Sequence, residues 1–210
     1  MASDVALSSA KAFETAPGAE DALVASCREG DPDAFARLVA QHEGMVFGLA
    51  ARLLGDPEEA RDVAQDVFLQ VYRALGRFEG RSRLKTWIYR IVVNQCRNRR
   101  RFWSRHARRG SCSLEALTAA EEARLAAGRD ENGPFADVAR RERVARVHEA
   151  LARLRFEHRA ILLLREQDGL SCEEIAAALG IAEGTVKSRL ARAREAFRQA
   201  LGPNSEGEMP

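Results

Sequence analysis

Residues 169–201, GLSCEEIAAALGIAEGTVKSRLARAREAFRQAL, decide how this chain is read. Ser171 and Glu174 have the spacing of an S-x-x-E capping box, in which the hydroxyl accepts the third helical N–H and the carboxylate accepts the N–H of the cap residue. Leu170 and Ile175 flank that cap as a hydrophobic staple requires. Gly180 falls where a left-handed residue closes a helix. The spacing predicts a helix over 172–179 with Ile175, Ala176 and Leu179 facing inward. A second helix begins at Glu183, an acid placed near the positive end of the helix dipole. Val186, Leu190, Ala193 and Phe197 recur at steps of three and four, which makes one buried stripe. Gly202 and Pro203 end it. Thr185, Lys187, Ser188, Arg189 and Arg192 lie off the stripe. A basic helix face alone would fit a solvated hairpin equally well. Capping, turn and stripe together read as a helix-turn-helix, whose second helix enters the major groove of DNA. There arginine pairs with guanine through two hydrogen bonds, and serine or threonine reaches bases or phosphates.

Upstream, Val144, Val147, Leu151 and Leu154 keep a helical step from about residue 136, and residues 156–168 carry Ile161, Leu162, Leu163 and Leu164. These segments supply a platform under the hairpin. Residues 110–135 change texture, and GRDENGP (128–134) is a flexible break. A short helix over about 114–127 is compatible with that stretch. The chain therefore reads as two helical domains joined by a linker.

The first half is also helical. Asp31–Pro32 and Asp56–Pro57 each place Asp at a cap and Pro at the first helical position. The first pair opens a helix whose apolar set includes Phe35, Leu38, Val46, Phe47, Leu53 and Leu54, with Gly44 and Gly48 suited to close packing. The second opens a helix with Val63, Val67, Val71 and Leu75 as its inner stripe, joined by Phe68. Its opposite face carries Asp62, Gln65, Asp66 and Leu69. An apolar atom set among charges is what the centre of a docking patch needs, although isolated surface leucines are common. On the residues alone the solvated face is slightly favoured. A loop, GRFEGRS (76–82), leads to a long helix over about 84–105. Phe78 and Trp87 offer stacking surfaces, Asn94 and Asn98 offer amides, and Arg97, Arg99, Arg100, Arg101 and Arg105 offer phosphate contacts. With Arg81 and Arg83 beside them, they suit DNA whose strands are being separated. Trp87 is as readily a core residue.

Net charge is only +2, but it is segregated: residues 97–109, RNRRRFWSRHARR, are basic and residues 56–66, DPEEARDVAQD, are acidic. One surface for nucleic acid and another for a basic protein follow from that division. The first residues lack the apolar core of a signal peptide, and no run approaches the ~18 apolar residues of a membrane span, so a cytoplasmic location without membrane insertion is expected. Cys27, Cys96, Cys112 and Cys172 form no C-x-x-C pair, and His42, His106, His148 and His158 have no metal spacing, so neither a metal site nor a cofactor is expected. Cationic neighbours favour thiolate at Cys96 and Cys112, which leaves redox sensing open beside the favoured reading of packing residues. No phosphate-cradling glycine loop and no nucleophile–base pair support an enzyme.

Three stretches, GDPDAFARLV (30–39), LLGDPEEARDVAQDVFLQVYRAL (53–75) and GRSRLKTWIYRIVVNQCRNRRR (80–101), resemble successive parts of region two of the sigma-70 family of bacterial RNA polymerase initiation factors, in its extracytoplasmic-function group. LSCEEIAAALGIAEGTVKSRLARAREAF (170–197) resembles region four. The resemblance implies an all-α fold with a region-two domain (19–108), a linker (109–136) and a region-four domain (137–202), while residues 1–18, small and polar with Pro17–Gly18, read as a disordered start and 203–210 as a polar tail. It implies that Asp62, Gln65, Asp66 and Leu69 dock on the clamp-helix coiled coil of the polymerase β′ subunit. Phe78, Arg81, Arg83, Trp87, Asn94 and Asn98 would recognise and open the −10 element, while Thr185, Lys187, Ser188, Arg189 and Arg192 would read the −35 element. Core polymerase, including the β flap, promoter DNA and an anti-sigma factor are the implied partners, and the polymerase does the chemistry. Arg155–Phe156 stands where Pro-Pro is frequent, Cys172 replaces a frequent Tyr, and Ala182 a common Pro. The competing expectation is an autonomous helix-turn-helix regulator, which would have no use for residues 56–105.

Overall fold

The computed structural model describes residues 18–106 and 134–202, and these form helices without strands. The first group holds α1 (Ala19–Arg28), α2 (Pro32–Leu54), α3 (Pro57–Ala74) and α4 (Leu84–His106), with a 3₁₀ turn at Leu75–Arg77. The second holds α5 (Pro134–Arg153), α6 (Phe156–Leu162), α7 (Cys172–Leu179) and α8 (Glu183–Leu201), with a π-helical turn at Leu163–Gln167 between α6 and α7. The expected linker falls largely outside the described residues, and with it the short helix over 114–127. Helicity resumes at Pro134 rather than near 136, since proline opens a helix without losing a usable donor.

The starts follow the local signals. Asp31 Oδ1 accepts the N–H of Asp33 at 2.9 Å, and Asp56 Oδ1 accepts those of Glu58 and Glu59 at 2.9 and 3.3 Å. Each cap contributes about 1 kcal/mol. The capping box of α7 is complete: Glu174 N–H donates to Ser171 Oγ at 3.1 Å, and Ser171 N–H donates to Glu174 Oε2 at 2.8 Å. Gly180 turns left-handed at φ 65°, and this lets α8 leave at once. The α4 start is different. Its Leu84 N–H donates to Glu20 Oε1 of α1 at 2.8 Å, a cap supplied from 64 residues away.

Helices α2, α3 and α4 pack side by side, with α1 against α2. Leu38, Leu49 and Leu53 of α2, Val67 and Val71 of α3, and Leu84, Ile88 and Val92 of α4 are wholly buried. Each such side chain stabilises by roughly 1.5–3 kcal/mol. Gly44 does not serve close packing, because a side-chain carbon there would meet nothing within 4 Å; α2 turns that position outward. In the second group, α6 and α5 pack against α8, and Ile161, Leu164, Ile175 and Val186 are buried.

The two groups share one hydrophobic cluster. Helix α7 lies along α4, and α6 touches α2. Arg159 is buried and donates to four carbonyls, those of Leu151 (2.8 Å), Ala152 (2.5 Å) and Leu154 (3.4 Å) beside it and Leu53 (3.0 Å) of α2. Arg52 of α2 faces Asp168 at 3.9 Å, both largely buried. Burial, followed by the charge of Asp168 and a hydrogen bond to it, raises the Tyr89 phenol above its ordinary range. The π-helical turn is what brings Asp168 there: its wider winding carries the chain end toward α2 and α4, with Asp168 N–H donating to Leu163 O at 3.0 Å.

Candidate functional site

Three exposed surfaces carry the residues picked out in the sequence. The first is the outer face of α3. Its core stripe, Val63, Val67 and Val71, is buried, so helical geometry turns Asp62, Gln65, Asp66 and Leu69 to the surface. Leu69 is 46% exposed. Arg99 of α4 reaches across and binds the carboxylates of Glu59 and, at 2.8 Å, Asp62. Sequence reading had assigned Arg99 to phosphates; its place opposite two acids on the neighbouring helix gives it a bracing role instead. Asp66 lies further along, in a cleft of about 460 Å³ between α3 and α4.

The second surface is the loop after α3 and the outer side of α4. Arg28 of α1 donates from Nε to the Leu75 carbonyl at 3.3 Å and from Nη2 to the Phe78 carbonyl, which pins the loop. Phe78 is only 8% exposed, and its ring centroid lies 5.2 Å from that of Trp87. The loop aromatic expected to offer a stacking face is thus turned inward, because hiding a large ring from water outweighs leaving it exposed. Trp87 is half-buried on top of it. Arg81 is exposed and paired with Glu79, and Arg83, Asn94 and Asn98 are exposed. Asn94 Oδ1 accepts from Arg97 at 3.2 Å. Arg97 and Arg100 lie over the Phe156 ring at 5.8 and 5.3 Å, so two cations of the expected phosphate stripe are engaged with the second helical group.

The third surface is the outer face of α8. Val186, Leu190 and Ala193 are buried, which leaves Lys187, Ser188 and Arg192 exposed and Thr185 and Arg189 half-buried. Lys187 pairs with Glu183 at 2.8 Å, and that carboxylate raises its ammonium above the usual range. Ser188 Oγ donates to the Thr185 carbonyl at 3.1 Å, a local bond to the preceding turn of the helix. Arg194 binds Glu166 at 2.7 Å and so fixes α8 to the π-helical turn.

The sequence did not single out Glu20, Arg28 and Arg159, the three side chains that fix these surfaces through main-chain groups. Each acts on a backbone atom distant in sequence, and no local pattern marks such a partner. Cys96 is fully buried, and burial pushes its thiol up to about 12, so it holds no thiolate at neutral pH and the redox reading fails there. Cys112 lies outside the described residues. No helix of the described residues is long and apolar enough to cross a membrane.

Comparison with known proteins shows what the chain is similar to. Residues 38–107 match the family described as Sigma-70 region 2, and residues 145–197 match Sigma-70, region 4. The RNA polymerase sigma-H factor of Pseudomonas aeruginosa is 39% identical over 185 residues, covering 86% of this chain and 93% of that protein. The ECF RNA polymerase sigma-E factor of Escherichia coli is 35% identical over 184 residues, covering 88% and 95%. Among solved structures, CnrH in complex with the cytosolic domain of CnrY superposes with a TM-score of 0.58 at 30% identity, covering 85% of this chain and 94% of that one.

Proposed function

This chain belongs to the sigma-70 family of RNA polymerase sigma factors, in its extracytoplasmic-function group, and we propose from that membership how its surfaces divide the work of promoter recognition. The reading of an autonomous regulator is not favoured, because the first matched region is one such a protein has no use for. Asp62, Gln65, Asp66 and Leu69 on α3 dock on the clamp helices of the β′ subunit, with the β flap meeting the second domain. Asn94, Asn98, Arg81, Arg83 and Trp87 contact the −10 element, with Phe78 as the prop beneath Trp87. Lys187, Ser188, Arg192, Thr185 and Arg189 meet the −35 element. The domain limits follow as 19–108 and 137–202. The protein acts in the cytoplasm and has no catalysis of its own. CnrH was solved with a protein partner, and by that likeness an anti-sigma factor is proposed here.

The observation that carries this reading is the sign change between two parallel constructions. One outer helix face is acid with an apolar centre, and another is cationic and polar. The packed arrangement adds a requirement. The −10 and −35 elements lie about 25 base pairs apart, roughly 85 Å at about 3.4 Å per pair. Helices α4 and α7 in contact cannot span that distance, so the halves must part on DNA, which frees Arg97 and Arg100 from Phe156.

Run-off transcription with purified core polymerase tests it. A promoter-dependent transcript is expected only when both protein and core are present. Tight binding of the free protein to duplex DNA, without any such transcript, would overturn the proposal.

A further inference from the structure

The two helical groups meet through polar contacts that neither the α3 face nor the α8 face uses. One set lies at the end of the π-helical turn. Asp168 Oδ1 stands 3.9 Å from Nη2 of Arg52 on α2, and the Asp168 carboxylate accepts a hydrogen bond from the Tyr89 hydroxyl of α4. One carboxylate of the second group is thus held by two helices of the first. Tyr89 is 1% exposed, and the ion pair is largely buried. Arg159 of α6, which lines one small cavity with Arg52, donates to the Leu53 carbonyl of α2. The other set lies where α6 begins. The Phe156 ring carries Arg97 at 5.8 Å and Arg100 at 5.3 Å. Phe156 is one of the two residues found where Pro-Pro is frequent, and a proline has no π face to offer a guanidinium.

These contacts choose an arrangement more than they strengthen it. A buried ion pair recovers on opening much of the hydration it lost on closing, so its net gain is small while its geometric demand is strict. An interface of that kind between two groups of one chain is a joint that opens. Closed and open are discrete states, because Asp168 either meets Tyr89 and Arg52 or meets water. What the closed state takes up is selective. Phe156 engages Arg97 and Arg100, two cations of the phosphate stripe on α4. Leu69 on α3 stays 46% exposed, and Lys187, Ser188 and Arg192 on α8 stay exposed.

We infer that this joint is a lock on promoter use rather than on polymerase docking. The free chain rests closed and meets core polymerase through α3 while still closed. It opens in a second step, in which Tyr89 releases Asp168 and Phe156 uncovers Arg97 and Arg100. Until then the chain cannot hold both promoter elements and lacks two of its phosphate contacts. The inference rests on the division of surfaces proposed above and adds an order of events to it. Tyr89 and Phe156 are positioning residues here: they set the arrangement of the halves and touch neither partner.

Rapid mixing of the full-length chain with bacterial core RNA polymerase and promoter DNA separates the two steps. Anisotropy of a dye on the chain reports its association with core, and a dye on the DNA reports the promoter complex. Tyr89→Phe removes only a hydroxyl, and Phe156→Leu keeps apolar bulk without the ring; circular dichroism of each controls for the fold. Both variants are expected to associate with core at the parent's rate. Each should shorten the lag before the promoter complex by about fivefold or more, since one loses a hydrogen bond to a charge and the other two cation–π contacts. Small-angle scattering from the free parent is expected to fit the closed form. If the variants associate with core faster, in proportion to the shorter lag, the closed form hides the docking face and the order is overturned. If the lag is unchanged in both, or the free parent scatters as separated halves, the contacts lock nothing and the inference falls. If the parent does not associate with core at all, the function proposed above falls first.

Discussion

Helices α3 and α8 are built alike, and the proposed function gives them opposite kinds of partner. One has 18 residues and the other 19, and each buries a stripe of branched or small side chains. Their outer faces differ. Helix α3 shows carboxylates around Leu69 and Tyr72, whereas none of the exposed large apolar side chains of the described residues lies on α8. Protein interfaces draw on desolvated apolar anchors; DNA backbones draw on mobile cations and short hydroxyls that water already surrounds. The inner stripe tells a helix where to pack, and the outer face tells it what to meet.

That contrast can be broken from either side. The largest effect is expected for Leu69→Arg, which puts a cation at the anchor position of the acidic face. Affinity for core polymerase should fall by about 2–4 kcal/mol, as for a hot-spot residue, with binding of region four to −35 duplex unchanged. Equal losses in both assays would show that the helix faces are not independent. Next is Arg192→Ala on α8, expected to cost roughly 1–3 kcal/mol and to relax preference at one −35 base pair. A panel of single-base promoter variants checks it, because a uniform loss would make Arg192 a phosphate contact. The smallest is Ser171→Ala. It removes one half of the capping box and should lower stability by about 1 kcal/mol in a denaturant titration, while core binding through α3 keeps its strength. A change in core affinity would couple the helix-turn-helix to the docking face more tightly than their separate constructions suggest.

Much of the fold was legible because its signals act within one turn of helix. Asp31, Asp56 and Ser171 each satisfy a backbone N–H two or three residues away, so the letters alone announce the helix start. The proposed docking face was harder. Acid residues around a leucine fit a solvated helix nearly as well, and it took the family resemblance to favour docking. Phe78 was placed at the surface because its loop is polar, whereas Arg28 and Trp87 draw it in from elsewhere in the chain.

The sequence by itself determined which segments are helical, which stripe of each is buried, and where along the chain acidic and basic runs fall. These follow from capping geometry and a period of 3.6 residues, both of which operate over a few residues. Tertiary structure alone decided which side chains serve distant backbone: Glu20 capping α4, Arg28 pinning the loop, and Arg159 tying α6 to the end of α2. It also decided that Arg97 and Arg100 face Phe156 and that Arg99 faces acids. Those pairings depend on where the folded chain carries groups 37 to 106 residues apart, and a charge has no fixed partner until packing gives it one.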